Sequence, residues 1–293
     1  MMNPTSFLRR ASTLLALTAL ALAACSGREA PPAPAAPAQG APPPAPSAPA
    51  PARVLTVFAA ASLRESFTQI VAEFERTHAG VTVQLNFAGT QELRTQIEHG
   101  ARADVLASAD QHHMNALAQQ RKVGRSRTFA HNEPVIAVPV EPSGSAAQPG
   151  TLADLVEVKR LVIAAPEVPL GRYTLQILQR GSIQYGPKFE REVTERVVSR
   201  ELNARQVLAK VSLGEADAAI VYRTDVLAAG DKVRAVPIAA NLNVLADYPI
   251  AVVSGAPQPE LAEAFVTRVL ADRGQGVLER AGFSRAGSVT ARQ

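Results

Sequence analysis

From Val54 to Arg280 short apolar runs alternate with amphipathic stretches of helical period, and this alternation restricts the fold more than any other feature. Val54–Phe58, Val81–Phe87, Asp104–Ala107, Glu133–Val140, Leu161–Ala164, Ala218–Tyr222, Val233–Val236 and Pro249–Val253 read as strands. Between them lie stretches that open on capping residues. Ser62-Leu63-Arg64-Glu65 is a capping-box pattern, and Leu63, Phe67, Ile70, Val71 and Phe74 keep helical spacing to about Thr77. Thr90 is positioned to cap a helix through Leu93 and Ile97, and Asp110 to cap the next. Thr151 to Asp154 is a second capping-box pattern. Leu170–Gln179, Asn203–Leu213 and Pro259–Arg280 also read as helical. Strand–helix alternation of this kind predicts an α/β fold with parallel sheets covered by helices. No repeat of 20–50 residues is visible.

The N-terminal stretch has a different logic. Arg9 and Arg10 precede an apolar run from Leu14 to Ala24 that is too short to span a bilayer comfortably. The run ends in Leu22-Ala23-Ala24-Cys25, which resembles the lipobox of bacterial lipoproteins. That resemblance implies a signal peptide over 1–24 and lipid on Cys25, the only cysteine in the chain. Residues 28–53 are nearly all Ala and Pro, a composition that builds no core and favours extended polyproline conformations. Residues 25–53 thus read as a lipid-anchored tether, able to reach up to ~80 Å.

Composition excludes several functions. The net charge of +4 includes Arg9 and Arg10, and the remaining basic residues form no stripe, so nucleic acid is not expected as a partner. Aromatic residues make up 4% of the chain and Trp is absent, whereas sugar and quaternary-amine sites rest on aromatic faces. A small, hydrogen-bonded ligand fits better. No nucleophile motif, nucleotide fingerprint or HExxH is present, so no enzymatic activity is expected. His112 and His113 are adjacent on a helix and point about 100° apart, which makes joint chelation difficult, and both are expected to be exposed.

Several strands end in small residues followed by a hydroxyl that opens a helix: Ala59-Ala60-Ala61-Ser62 and Ala88-Gly89-Thr90. Helix N-termini present unpaired N–H groups and partial positive charge, and ligands of open α/β sheets sit at strand C-termini. Small residues admit an anion close to the backbone. Taken singly, Ser62, Thr90 and Asn203 read as N-caps. Tyr222 reads as a partly buried strand-end residue, and Leu170 as a residue without side-chain chemistry after Pro169.

Together these segments resemble the periplasmic molybdate-binding proteins of molybdate ABC transporters, of the type II periplasmic-binding-protein family. The matching stretches include Phe58–Leu63, Asn86–Thr90, Ser108-Ala109-Asp110, Val168–Tyr173, Asn203–Gln206, Ile220–Asp225, Tyr248–Val253 and Gly282-Phe283, in family order across residues 54–284. The resemblance implies two Rossmann-like lobes with mixed or parallel sheets joined by two crossover strands. One lobe would comprise 54–134 and 248–293, the other 135–247, with crossings near Glu133–Val135 and Asp247–Pro249. It implies molybdate or tungstate as ligand, and no cofactor. Hydroxyl contacts would come from Ser62, Thr90 and Tyr222, and backbone N–H contacts from near Leu170 and Ala204. Thr90 stands where Ser is usual, Leu170 where Ala is common, Leu202 for an acidic residue and Ala204 for Val. The implied partner is a membrane permease, and the implied setting is the periplasm, where a lipid-anchored monomer delivers the oxyanion. Another tetrahedral oxyanion such as sulfate is the main alternative. Amino-acid and cation sites need carboxylates that these strand ends lack.

Overall fold

The computed structural model describes residues 53–141 and 148–287; the signal-like segment, Cys25 and the Ala/Pro tether lie outside them. Among the described residues no helix is long and apolar enough to cross a membrane.

The chain opens with β1 (Arg53–Ala60), a 3₁₀ turn at Ala61–Leu63, α1 (Arg64–Thr77), β2 (Val81–Ala88), α2 (Thr90–Glu98), β3 (Val105–Ala107), α3 (Gln111–Gln119) and β4 (Arg127–Asn132). It then continues through β5 (Pro134–Pro139), β6 (Leu161–Ala164), α4 (Pro169–Tyr185), α5 (Phe189–Thr194), β7 (Val197–Glu201), α6 (Ala204–Ser212), β8 (Ala218–Tyr222), α7 (Arg223–Ala229) and β9 (Val233–Pro237). It returns through β10 (Ala246–Val252), α8 (Pro259–Leu270), α9 (Asp272–Arg280) and β11 (Ser284–Arg285).

Two sheets result, and each defines a lobe. The first has strand order β11-β4-β10-β3-β1-β2, the second β7-β6-β8-β5-β9. Sequence alternation predicts parallel pairing, and β1 with β2 and β3, and β6 with β7 and β8, pair that way. The strands at the crossings do not. β5 runs antiparallel to β8 and β9, and β10 antiparallel to β3 and β4. A chain that leaves one sheet and enters another arrives without a helical crossover, so its direction is unconstrained by the βαβ rule. β5, β6 and β8 are buried along their whole length, which is why their sequences run apolar without alternation.

The first crossing is the single residue Glu133, between β4 and β5. The second lies in residues 238–245, ahead of the Asp247–Pro249 expected from the sequence. β10 has already joined the first sheet by Ala246, which pairs with Asn132. The register slips between Tyr248 and Pro249, where the proline has no N–H to give the ladder. The Asn243 side-chain amide donates to the Pro134 carbonyl at 2.9 Å and pins the two connections together.

The few aromatic residues are not scattered. Phe74, Phe265, Phe67, Phe129, Tyr248 and Tyr222 follow one another with ring centroids 5.3–6.3 Å apart, mostly edge to face. This string runs from the helices behind the first sheet to the cleft between the lobes. It spends the chain's aromatic surface on packing, with T-shaped geometry favourable to ring quadrupoles.

Candidate functional site

β1, β2 and β8 end at the cleft, and each is followed by a turn or helix whose N-terminus faces it. Ser62, Thr90, Leu170, Ala204 and Tyr222 all line a single small cavity there. Its remaining walls are Asn203 and small or apolar residues such as Ala60, Ala61, Ala88, Gly89 and Ala109, and among the described residues no charged side chain lines it. All five side chains are nearly sealed from bulk water, with at most 5% exposure.

The hydroxyls are held differently from N-caps. At the end of β1 the backbone turns through a 3₁₀ helix, and α1 starts only at Arg64, without a side-chain cap. The Ser62 hydroxyl is instead 2.8 Å from the Tyr248 hydroxyl, and Glu65, its expected capping-box partner, pairs with Arg205. Thr90 is the first residue of α2, and Gly89 occupies the cap position. Its Oγ1 accepts the Ala109 N–H at 3.1 Å. Long-range partners have displaced both local caps, because both residues sit where two segments converge. Asn203 does cap: its side-chain oxygen accepts the Gln206 N–H at 3.0 Å and so sets the start of α6.

α4 opens with Pro169 at its first position, which suits a helix start because that N–H would be unpaired anyway. Gly171 is obligatory just inside it: a Cβ there would lie 1.9 Å from the Ala165 carbonyl oxygen. The N-termini of α2, α4 and α6 therefore converge on the cavity, each with N–H groups that have no intrahelical acceptor.

Tyr222 closes the ring of donors. Its hydroxyl is buried and has no hydrogen-bond partner among the described residues. Burial pushes the phenol well above its ordinary pKa, so it keeps its proton. A buried, protonated and unpartnered hydroxyl is costly unless something accepts from it.

The lobes are tied together around this cavity. Gln91 Nε2 donates to the Leu202 carbonyl at 2.7 Å, and the Tyr173 hydroxyl to the Ala109 carbonyl at 3.4 Å. Arg205 reaches Glu65 across the cleft and places Nε 3.2 Å from Asp225 within its own lobe. Asp225 is fully buried, and burial, opposed by Arg205, lifts its carboxyl to about 6. Gly89 permits the approach: a Cβ would meet the Leu202 carbonyl oxygen at 2.4 Å.

His113, expected on an exposed face, is 3% exposed; its Nε2 is 2.9 Å from the Glu167 carbonyl and its Nδ1 is 3.3 Å from Arg94. The helix turns it inward because Asp110, as N-cap, fixes α3 at the cleft. Among the described residues no group of three or more His, Cys, Asp or Glu is placed to hold a metal ion. Three participants escaped the sequence reading as individual contacts: Ala109, Asn132 and Tyr248. Only the small residues ending β3 could have signalled the first; the others carry no local pattern.

Comparison with known proteins agrees with this architecture. The chain is 39% identical over 236 residues to the molybdate-binding protein ModA of Mycobacterium tuberculosis, covering 80% of this chain and 85% of the relative. Its fold matches the periplasmic molybdate-binding protein of Azotobacter vinelandii with a TM-score of 0.66 at 20% identity, covering 78% of this chain and 98% of that one. It matches the sulfate-binding protein SubI of M. tuberculosis with a TM-score of 0.70 at 17% identity, covering 80% and 88%. These two likenesses establish the fold. The profile of bacterial extracellular solute-binding proteins matches residues 55–284, nearly all of the two-lobed unit, and the chain belongs to that family.

Proposed function

We propose that this protein captures molybdate or tungstate in the cleft and hands it to the membrane permease of an ABC importer, without catalysing a reaction. The observation that carries this reading is the buried Tyr222 hydroxyl, which among the described residues has no hydrogen-bond partner and sits in a cavity without a charged lining. Around it the site offers donors, and among the described residues no carboxylate lines it. Thr90 Oγ1 already receives an N–H, so its proton is left for a ligand. Helix N-termini add N–H groups and positive potential. Such a site suits a fully deprotonated dianion, which accepts from every donor. The likeness to molybdate-binding relatives supports the choice of anion.

Selectivity follows from the same inventory. Hydrogen phosphate carries a proton that finds no acceptor here, and leaving it unpaired costs about 1–3 kcal/mol. Sulfate has the charge but shorter bonds to oxygen, so it leaves donors stretched. Isothermal titration with the four anions is expected to rank molybdate and tungstate first, sulfate far weaker and phosphate weakest. Sulfate binding as tightly as molybdate would move the protein to the sulfate class, and tight phosphate binding would refute the all-donor site.

Delivery to a permease calls for retention near the membrane. We assign that role to a lipid on Cys25, supported by the apolar run that ends there and the tether that follows. Cys25→Ala is expected to release the protein into the soluble fraction. A wild-type protein that is soluble without detergent and has the mass of an unmodified chain would overturn the anchor.

A further inference from the structure

Ser62 lines the cavity, but its hydroxyl could in principle give or take a proton there. Three buried side chains settle which. Asn132, at the end of β4, accepts the Glu133 N–H on Oδ1 at 3.0 Å. That bond fixes the orientation of the amide, since the flipped amide would set two donors against each other. Its Nδ2 therefore faces the opposite way, 2.9 Å from Thr224 Oγ1 and 3.5 Å from the Tyr248 hydroxyl. Tyr248 is fully buried. Among the described residues its hydroxyl bonds that amide at 3.5 Å and Ser62 Oγ at 2.8 Å, with the Tyr222 hydroxyl as a weaker neighbour. The amide nitrogen cannot accept. Ser62 Oγ, at 2.8 Å, is the best-placed acceptor for the Tyr248 proton, which would otherwise be buried without a close partner.

We propose that Asn132 and Tyr248 form a positioning relay that occupies the accepting side of Ser62 and commits its proton to the anion. The relay rests on the oxyanion reading of the cleft and deepens it. It makes Ser62 match Thr90, whose oxygen is occupied by the Ala109 N–H. It also starts at the first crossing between the lobes, so the orientation of a ligand donor is tied to the connection about which they would move. Tyr248 contacts no ligand in this scheme; it acts through Ser62. Its consequence is discrimination: Tyr248 cannot take the Ser62 proton, so turning the remaining Ser62 lone pair to the proton of hydrogen phosphate would leave the Ser62 proton without an acceptor.

Tyr248→Phe removes the hydroxyl and keeps the ring, which packs edge-on against Phe129, Tyr222 and Phe283. Titration of the purified protein with sodium molybdate is expected to show affinity reduced about threefold to tenfold. In a Ser62→Ala background the same substitution should cost nothing further. The preference for molybdate over phosphate should shrink at least about threefold in Tyr248→Phe alone. Additive losses in the double variant, equal for both anions, would make Tyr248 a structural residue and overturn the relay. A wild-type protein that binds no oxyanion would instead refute the proposed function. In that case neutron diffraction of deuterated crystals still decides the relay. A deuteron bonded to Tyr248 Oη and pointing at Ser62 supports it, and one bonded to Ser62 Oγ and pointing at Tyr248 refutes it.

Discussion

The imidazole of His113 spans the cleft: its Nε2–H donates to the Glu167 carbonyl at 2.9 Å, from α3 of one lobe to the loop before α4 of the other. A carbonyl can only accept, so Nε2 carries the proton and Nδ1 faces the Arg94 guanidinium with its lone pair. Glu167 precedes the helix start at Pro169 and Leu170 that lines the cavity. This bond belongs to the arrangement in which the lobes are together. His113→Ala should therefore weaken anion binding about threefold to tenfold, the worth of one buried hydrogen bond, with little change in either lobe. Titration calorimetry reads the loss; unchanged affinity would show that the contact does not report closure.

Acidification acts on the same residue. Burial, the largest influence, lowers the His113 pKa below its ordinary 6.5. The folded chain then resists a proton that the unfolded chain takes up. Stability from this group is complete above pH 6.5 and is lost as pH falls below it toward the folded value. His113→Gln should flatten this fall in a thermal-unfolding series, and an unaltered profile would assign the loss elsewhere.

Asp225 works in the opposite direction. Its carboxyl, lifted from 3.8 to about 6 chiefly by burial, holds a proton in the folded chain that the unfolded chain has already released. Stability from this group rises as pH falls from 6 toward 4, and above pH 6 the buried charge is a cost of about 3 kcal/mol. Asp225→Asn keeps the side-chain shape. The gain in melting temperature on going from pH 7 to pH 5 should shrink in that variant relative to wild type. A gain of equal size would mean that the carboxylate is ionised throughout the range.

The two close-packed glycines separate binding from folding. A Cβ on Gly89 would strike the Leu202 carbonyl across the cleft, whereas one on Gly171 would strike the Ala165 carbonyl within its own lobe. Gly89→Ala should lower anion affinity more than about tenfold while the apo protein melts nearly as wild type, because open lobes relieve the clash. Gly171→Ala should lower the melting temperature itself, since nothing short of displacing α4 makes room. Equal melting temperatures for the two variants would contradict this assignment.

Removing the Tyr222 hydroxyl tests the site directly. Tyr222→Phe deletes a group that has no partner among the described residues, so folding should lose nothing. Affinity should fall about 10- to 150-fold, the 1.5–3 kcal/mol typical of a hydrogen bond to a charged group. Calorimetry and a melting curve on the same preparation check both halves. A variant that binds normally would place the ligand away from Tyr222.

Periodicity and local chemistry in the sequence were enough to determine the strand–helix alternation, the amphipathic face of α1, the caps at Asp110 and Asn203, and the small-residue turns after β1 and β2. These depend on neighbours within about one helical turn, so a linear pattern contains them. β4, β7, β11, α5 and α7 were not legible: β7 alternates weakly on an exposed edge, β11 is only two residues long, and the two helices are only six and seven residues long. The antiparallel sense of β5 and β10 and the second crossing at 238–245 depend on which sheet the chain enters, which no local window holds. The same is true of the site. That Ser62, Thr90 and Tyr222 bear hydroxyls is sequence. That Ser62 bonds Tyr248, 186 residues away, and Thr90 accepts from Ala109, rather than each capping its own helix, is tertiary structure. Burial made that choice, because inside the cleft every polar hydrogen has to find an acceptor, and only the folded chain brings the acceptors within reach.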